Sequence, residues 1–183
     1  VGAPLPGVEI RVEPSGELLI RGAIIMKGYW NNPTATSAVL DADGWFRSGD
    51  LVELREGRIY IRGRVKDIIV LSNGENVPPG DAEQAIVQDP AFEQVMVVGD
   101  GRPRLGLIAV SKITDEKDLC ARANRQLHAF PGYAKIRHIL RVSEPWTVDN
   151  GLLTPTLKLK RNMIEEKYAK EIEAMYKRND QCS

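Results

Sequence analysis

Apolar and polar residues alternate along Val8-Glu9-Ile10-Arg11-Val12, the period-two pattern of a half-buried strand. A turn at Pro14-Ser15-Gly16 leads into a second strand, Leu18-Leu19-Ile20, which ends at Gly22. Asn32-Pro33 opens a short helix over Ala35 to Leu40, and Asp41-Ala42-Asp43-Gly44 breaks it. Leu51 to Leu54 and Arg58 to Ile61 are two strands joined as a hairpin through Arg55-Glu56-Gly57. The pattern then changes. Asp67 to Leu71 is a strand-like apolar run. Pro78-Pro79-Gly80 precedes a helix from Asp81 to Gln88, with Asp81 and Glu83 in the first turn, where the helix dipole favours negative charge. Asp89-Pro90 ends that helix. Val95 to Val98 and Leu105 to Val110 are paired strands around Gly99-Asp100-Gly101. Thr114 caps a helix from Asp115 to about Ala129, with Leu119, Ala123 and Leu127 on one face. Ile136 to Val142 is a further strand. A last helix spans Arg161 to Lys177, with Ile164, Tyr168, Ile172, Met175 and Tyr176 as its apolar stripe. The change from hairpins to alternating helix and strand falls near Gly63-Arg64-Val65-Lys66, which is the expected domain boundary.

Composition narrows the function classes. A chain of 183 residues corresponds to one or two domains. Its 43% hydrophobic and 27% charged residues are those of a folded protein, not a disordered one. The 25 basic and 25 acidic residues cancel, which disfavours attachment to nucleic acid by overall charge. No window of about 18 apolar residues occurs, so no transmembrane segment is expected. The chain opens at Val1 without an initiator methionine or a leader pattern, and is expected to be a fragment of a longer protein. Cys120 and Cys182 lie far apart without C-x-x-C spacing. Neither a disulfide nor a zinc site is expected from them, and a reducing cytosol is the default compartment.

Three clusters are richer than packing requires. In Gly44-Trp45-Phe46-Arg47-Ser48-Gly49-Asp50, the aspartate follows a glycine and precedes a strand. A carboxylate at such an edge accepts two hydrogen bonds from a vicinal diol such as a ribose. The plain alternative is a turn aspartate bonded to its own backbone. The second cluster is Gly63-Arg64-Val65-Lys66-Asp67 followed by Ser72-Asn73-Gly74-Glu75-Asn76-Val77-Pro78-Pro79. Arg64 is permanently charged and suits an oxygen-rich ligand, and Gly74 permits a tight loop. The alternative here is a solvated charge run; no Walker loop is present. The third is Leu153-Thr154-Pro155-Thr156-Leu157-Lys158-Leu159-Lys160-Arg161, whose cations precede a helix, the electrostatically unfavourable end. They either meet an anionic partner or form a solubilising rim. His128 and His138 are isolated, and Trp30, Trp45 and Trp146 are expected in the core or at subdomain contacts.

In this order the clusters resemble the C-terminal third of the adenylate-forming (AMP-binding) enzymes. Gly16-Glu17-Leu18-Leu19-Ile20-Arg21-Gly22, Gly28-Tyr29-Trp30-Asn31-Asn32-Pro33, and Gly44 to Asp50 are similar to successive family motifs. So are Gly63 to Asp67 with Gly74-Glu75-Asn76-Val77, and Thr154 to Arg161. The resemblance runs from Val1 to Lys177, and Gly151 to Arg161 is most similar to the long-chain fatty acyl-CoA synthetases. It implies an α+β class: a small β subdomain over 1–63 that ends a large N-terminal domain, a hinge at 64–66, and a mobile α+β domain over 67–183. It implies an ATP-dependent acid–thiol ligase that forms an acyl-adenylate and transfers the acyl group to CoA. Lys160 is implied as the adenylating lysine. Lys158 is the alternative, because the family's Gly-Lys is replaced here by Leu159-Lys160. Asp50 and Arg64 are implied to hold the ribose, Lys66 to be the hinge residue, and Gly74 and Glu75 to line the route of the CoA thiol. Ser48 stands where threonine is commoner. The implied substrates are ATP, CoA and a fatty or other carboxylic acid. Mg2+ ligands, the phosphate loop and the acyl pocket are expected upstream in the same polypeptide's N-terminal domain, so the fragment alone is expected to be inactive. A cytoplasmic enzyme, with peripheral membrane association open, is the corresponding location. Loading of a carrier protein and a non-catalytic binding module are the other readings.

Overall fold

The computed structural model describes residues 2–178 and 182. The chain divides into two units, Val1–Ile68 and Ile69–Ser183. The first is a single antiparallel sheet ordered β1 (Val8–Val12), β2 (Glu17–Gly22), β3 (Phe46–Arg55), β4 (Arg58–Arg64). Its core is small: Leu18, Val52 and Ile59 are buried, with Ile10, Val12 and Ile20 against them. β3 and β4 meet at Glu56-Gly57, both at positive φ (49° and 72°), a two-residue turn whose twist matches that of the paired strands. A short helix, α1 (Pro33–Val39), connects β2 to β3. Asn32 caps it by accepting a hydrogen bond from the Ala35 N–H.

The second unit begins with a hairpin of β5 (Ile69–Val70) and β6 (Asn76–Val77), then α2 (Pro79–Ile86). Its main sheet is ordered β7 (Gln94–Val98), β8 (Leu105–Val110), β9 (Ile136–Val142). β7 and β8 are antiparallel, and β8 and β9 are parallel, joined by a crossover through α3 (Glu116–Gln126). α4 (Arg161–Lys167) and α5 (Ala169–Lys177) complete the unit. β8 is buried along its whole length, which is why its sequence is apolar throughout and not alternating. Leu105, Leu107 and Ala109 enter one core with residues of α2 and α3. Ile108 and Val110 enter a second core with Trp146, Ile164, Tyr168 and Met175. Each fully buried leucine or isoleucine contributes roughly 1.5–3 kcal/mol. At Gly106 a Cβ would lie 2.6 Å from Met175 Cε and 2.9 Å from the Tyr176 hydroxyl oxygen, so a larger residue there would make these α5 side chains shift.

The mixed α+β class is as expected, and several elements differ in detail. α2 starts at Pro79 because proline suits the first helical position. Asp115, not Thr114, caps α3, accepting from the Lys117 and Asp118 N–H groups. The run from Asp67 to Leu71 is mostly not strand: Val65–Asp67 is a 3-10 turn and only β5 is extended. The C-terminal helix is broken at Tyr168 (φ −106°, ψ 18°), which lets both halves keep their apolar stripe on the sheet. Trp146 is core, but Trp30 is 91% exposed. His138 is buried and its ring lies 4.9 Å from that of Tyr176. The expectation of no disulfide is overturned: Cys120 and Cys182 are bonded, with Cα atoms 5.3 Å apart. Separation along the chain does not reveal that Cys182 lies beside Cys120 of α3.

Candidate active site

In the first unit, a β-bulge presents Asp50. Glu17 pairs with Leu51 and Leu19 with Arg47, so Ser48, Gly49 and Asp50 together oppose Leu18. Gly49, at φ 71°, supplies the left-handed turn this needs. Three bonds fix the bulge: Ser48 Oγ–H donates to Leu18 O (2.8 Å), Arg47 donates to Glu17 Oε2 (2.9 Å), and Gly49 N–H donates to Glu17 Oε1 (3.3 Å). Asp50 faces Arg64 across the β3–β4 ladder, and Arg64 Nε donates to Asp50 Oδ1 (2.9 Å). The two residues marked in the sequence 14 positions apart are therefore one ion pair. Their side chains are 27% and 52% exposed, open to a ligand. Asp50 Oδ2 and the terminal guanidinium nitrogens have no partner among the described residues. Lys66 is exposed in the 3-10 turn that follows β4.

In the second unit, the Gly74 loop closes the β5–β6 hairpin. Gly74 N–H donates to Leu71 O (2.8 Å), Leu71 N–H to Glu75 O (2.9 Å), and Glu75 N–H to Asn73 Oδ1 (3.2 Å). Gly74 takes φ 86° with open space around its Cα, so the loop has room for a close approach. The lysines lie on a second tight loop. Leu153 bridges Leu159, Thr154 N–H donates to Lys158 O (2.8 Å), and Lys158 N–H donates to Thr154 Oγ1 (3.0 Å). Lys160 is the N-cap residue of α4, its N–H donating to Leu152 O (2.9 Å). Both lysines are exposed. Between the two threonines and Lys158 stands Leu157 at φ 60°, a left-handed conformation that costs a non-glycine residue about 1–2 kcal/mol. The residue is 71% exposed, so little burial offsets that cost. Leu157→Gly is expected to raise stability by about 0.5–1 kcal/mol, read as a higher urea midpoint at unchanged slope. A lowered midpoint would mean that the leucine side chain, not the backbone, holds the loop.

Arg161, directly after Lys160, pairs with Glu83 of α2 (2.5 Å), and Glu83 also accepts from the Val97 N–H of β7 (2.8 Å). This pair ties the start of α4 to α2 and β7. In the first unit Arg55, then Arg62, hold Glu53 at a pKa of about 2. Because that value is lowered from 4.5, the triad's contribution is present above the ordinary carboxylate range and is lost as pH falls towards 2. It is exposed and screened by salt. Among the described residues no group of three or more histidines, cysteines or acids is placed to hold a metal ion. No local pattern signals Glu17 as organiser of the bulge, and local pattern marks Glu83 only as a helix-dipole acid.

Residues 66–180 match the family described as the AMP-binding enzyme C-terminal domain. The chain is 36% identical over 202 residues to a long-chain-fatty-acid–CoA ligase of Mycobacterium tuberculosis, covering 96% of this chain and 34% of that protein. It is 34% identical over 208 residues to a chloroplastic long-chain-fatty-acid–acyl-carrier-protein ligase of Arabidopsis thaliana, covering 96% and 29%. The A-PCP didomain of a carboxylic acid reductase from Segniliparus rugosus, in complex with AMP, matches 96% of this chain and 28% of that one, with TM-score 0.85 and 25% identity. The chain thus spans about a third of the length of the curated relatives it matches. No helix among the described residues is long and apolar enough to cross a membrane. The match across the second unit, with ligases covering nearly the whole chain, places this protein in the adenylate-forming AMP-binding enzyme family, residues 66–180 being its C-terminal domain.

Proposed function

We propose that the polypeptide carrying this chain is an AMP-forming acid–thiol ligase for a long-chain fatty acid, with CoA as acceptor. The observation that carries this reading is the 36% identity to a long-chain CoA ligase over nearly the whole chain. The bonded Asp50–Arg64 pair, open to a diol, supports it. In the first half-reaction a carboxylate oxygen attacks the α-phosphorus of ATP and pyrophosphate leaves. In the second the thiol sulfur attacks the acyl carbon, loses its proton, and AMP leaves. Asp50 would accept hydrogen bonds from the ribose hydroxyls and Arg64 would orient that carboxylate. Mg2+ would supply charge neutralisation on the phosphates. The acids described here do not form a cage for it, so no step is assigned to it in this chain.

For the adenylating lysine, backbone conformation supports Lys158 ahead of Lys160. The family motif has glycine before the lysine. Leu157, in the conformation glycine favours, stands before Lys158, whereas Leu159 before Lys160 is bridged in extended pairing. Lys66 is proposed as the pivot between the half-reactions, exchanging the lysine loop for the Gly74 loop. Lys66→Pro, which restricts φ, is then expected to slow thioester formation about tenfold while acid-dependent exchange falls less. Normal turnover in both halves would remove Lys66 from that role.

The test is acid-dependent ATP–pyrophosphate exchange by the full-length protein with acetate, benzoate, octanoate and palmitate, the 183-residue chain alone being the control. Exchange with palmitate and thioester formation with CoA are expected. Acyl transfer to a holo carrier protein but not to CoA would give the second reading, which the similarity to the Arabidopsis carrier-protein ligase favours. A folded, ATP-binding protein silent with every acid would overturn both.

A further inference from the structure

The loop that carries Gly74 has little structure of its own. β5 and β6 are two residues each and pair only with one another. So short a two-stranded hairpin is not stable alone in water. Burial of Ile69, Leu71 and Val77 in the main core holds its root, and the turn between β7 and β8 holds its backbone. Val70 N–H donates to Asp100 Oδ1 (3.0 Å). Gly101 N–H donates to Val70 O (2.8 Å), and Ser72 N–H donates to Arg102 O (2.9 Å). Of these three bonds only the first uses a side chain. The turn is held in its own place from α5. Arg102 pairs with Glu173 and lies over the Tyr176 ring at 5.0 Å. The Tyr176 hydroxyl stands 3.2 Å from both Val98 O and Arg104 O, which flank the turn, and donates its proton between them. Gly99 is required here, since a Cβ would lie 3.2 Å from Arg104 O at a φ of 151°.

We infer that Asp100 is a positioning residue for the thiol-transfer half-reaction, fixing the Leu71–Glu75 loop through Val70 while Arg102 and Tyr176 brace the turn it stands on. The inference rests on the reading of the Gly74 loop as the wall of the thiol route. Asp100 touches no reacting atom. It acts through the Val70 N–H, which sits at the root of the loop, so losing the bond widens the range of loop shapes that an incoming thiol meets.

The test uses the full-length enzyme and measures the half-reactions separately. Asp100→Ala is expected to lower kcat/KM for CoA, with acyl-adenylate supplied, by about tenfold while ATP–pyrophosphate exchange stays within about twofold. Asp100→Asn keeps an acceptor oxygen in the same place and is expected to restore most of the loss. Hydrogen exchange of the Leu71–Glu75 amides is the readout independent of turnover, faster in Asp100→Ala and near wild type in Asp100→Asn. Equal loss of both half-reactions, or unchanged loop exchange in Asp100→Ala, would overturn the inference. Faster loop exchange in an enzyme whose wild type transfers nothing to CoA or a carrier protein would overturn the functional reading instead, leaving the anchor intact but without its role in transfer.

Discussion

Lys158→Ala in the full-length enzyme is expected to lower ATP–pyrophosphate exchange by about a hundredfold or more, and to leave thioester formation from supplied acyl-adenylate largely intact. The physical problem in adenylation is that a carboxylate must approach a polyphosphate. A positioned cation at the developing charge lowers that barrier, and removing one such contact costs about two to three orders of magnitude. Lys158 is held in place by the residue before and the residue four positions earlier. Leu157 turns the chain through left-handed space, and Thr154 bonds Lys158 at both its N–H and its carbonyl. Lys160, at the start of α4, is placed by Leu152 instead. Lys160→Ala is accordingly expected to cost less than Lys158→Ala in the exchange assay. The reverse ranking would return the role to Lys160, and equal loss in both half-reactions would refute a role confined to adenylation.

Glu83→Ala is expected to destabilise the second unit by about 3 kcal/mol, because it removes one member of a largely buried ion pair. The side chains of Glu83 and Arg161 are 12% and 21% exposed, so the guanidinium left behind is poorly solvated. The Val97 N–H loses its acceptor at the same time. The change is read as a lower urea midpoint with unchanged slope. Replacing both partners, with Glu83→Leu and Arg161→Met, is expected to recover part of the loss, since it removes the uncompensated charge as well. A shift below about 1 kcal/mol in Glu83→Ala would show that water reaches the pair and that α4 is held by Ile164 and its apolar neighbours alone.

Much of this was legible in the sequence. The paired strands β7 and β8 follow from short apolar runs around a glycine turn, and the buried face Leu119, Ala123, Leu127 from its spacing of four. Asp50 and Arg64 were marked by residue type and neighbouring glycines. What local patterning omits is the partner. That Asp50 and Arg64 bond each other depends on a strand register and a bulge, and the bulge depends on Glu17 from another strand. The disulfide between Cys120 and Cys182, and the bracing of the Gly74 loop by Asp100, are likewise contacts between segments distant in sequence.

The two lysines show the division most directly. Residue spacing placed both in one basic cluster beside a helix and left their order to a motif that this chain does not match letter for letter. A motif glycine is visible in sequence only when it is glycine. Leu157 stands at φ 60°, in the left-handed region glycine favours, within the hairpin that Leu153 and Leu159 close and that the Thr154 bonds hold. The sequence by itself determined most of the elements and the residue types that carry charge, because these rest on period and composition within short windows, and its ordered motifs carried the family likeness. Tertiary structure decided which groups meet and which backbone positions are strained, because those depend on hydrogen bonds and packing between segments far apart along the chain.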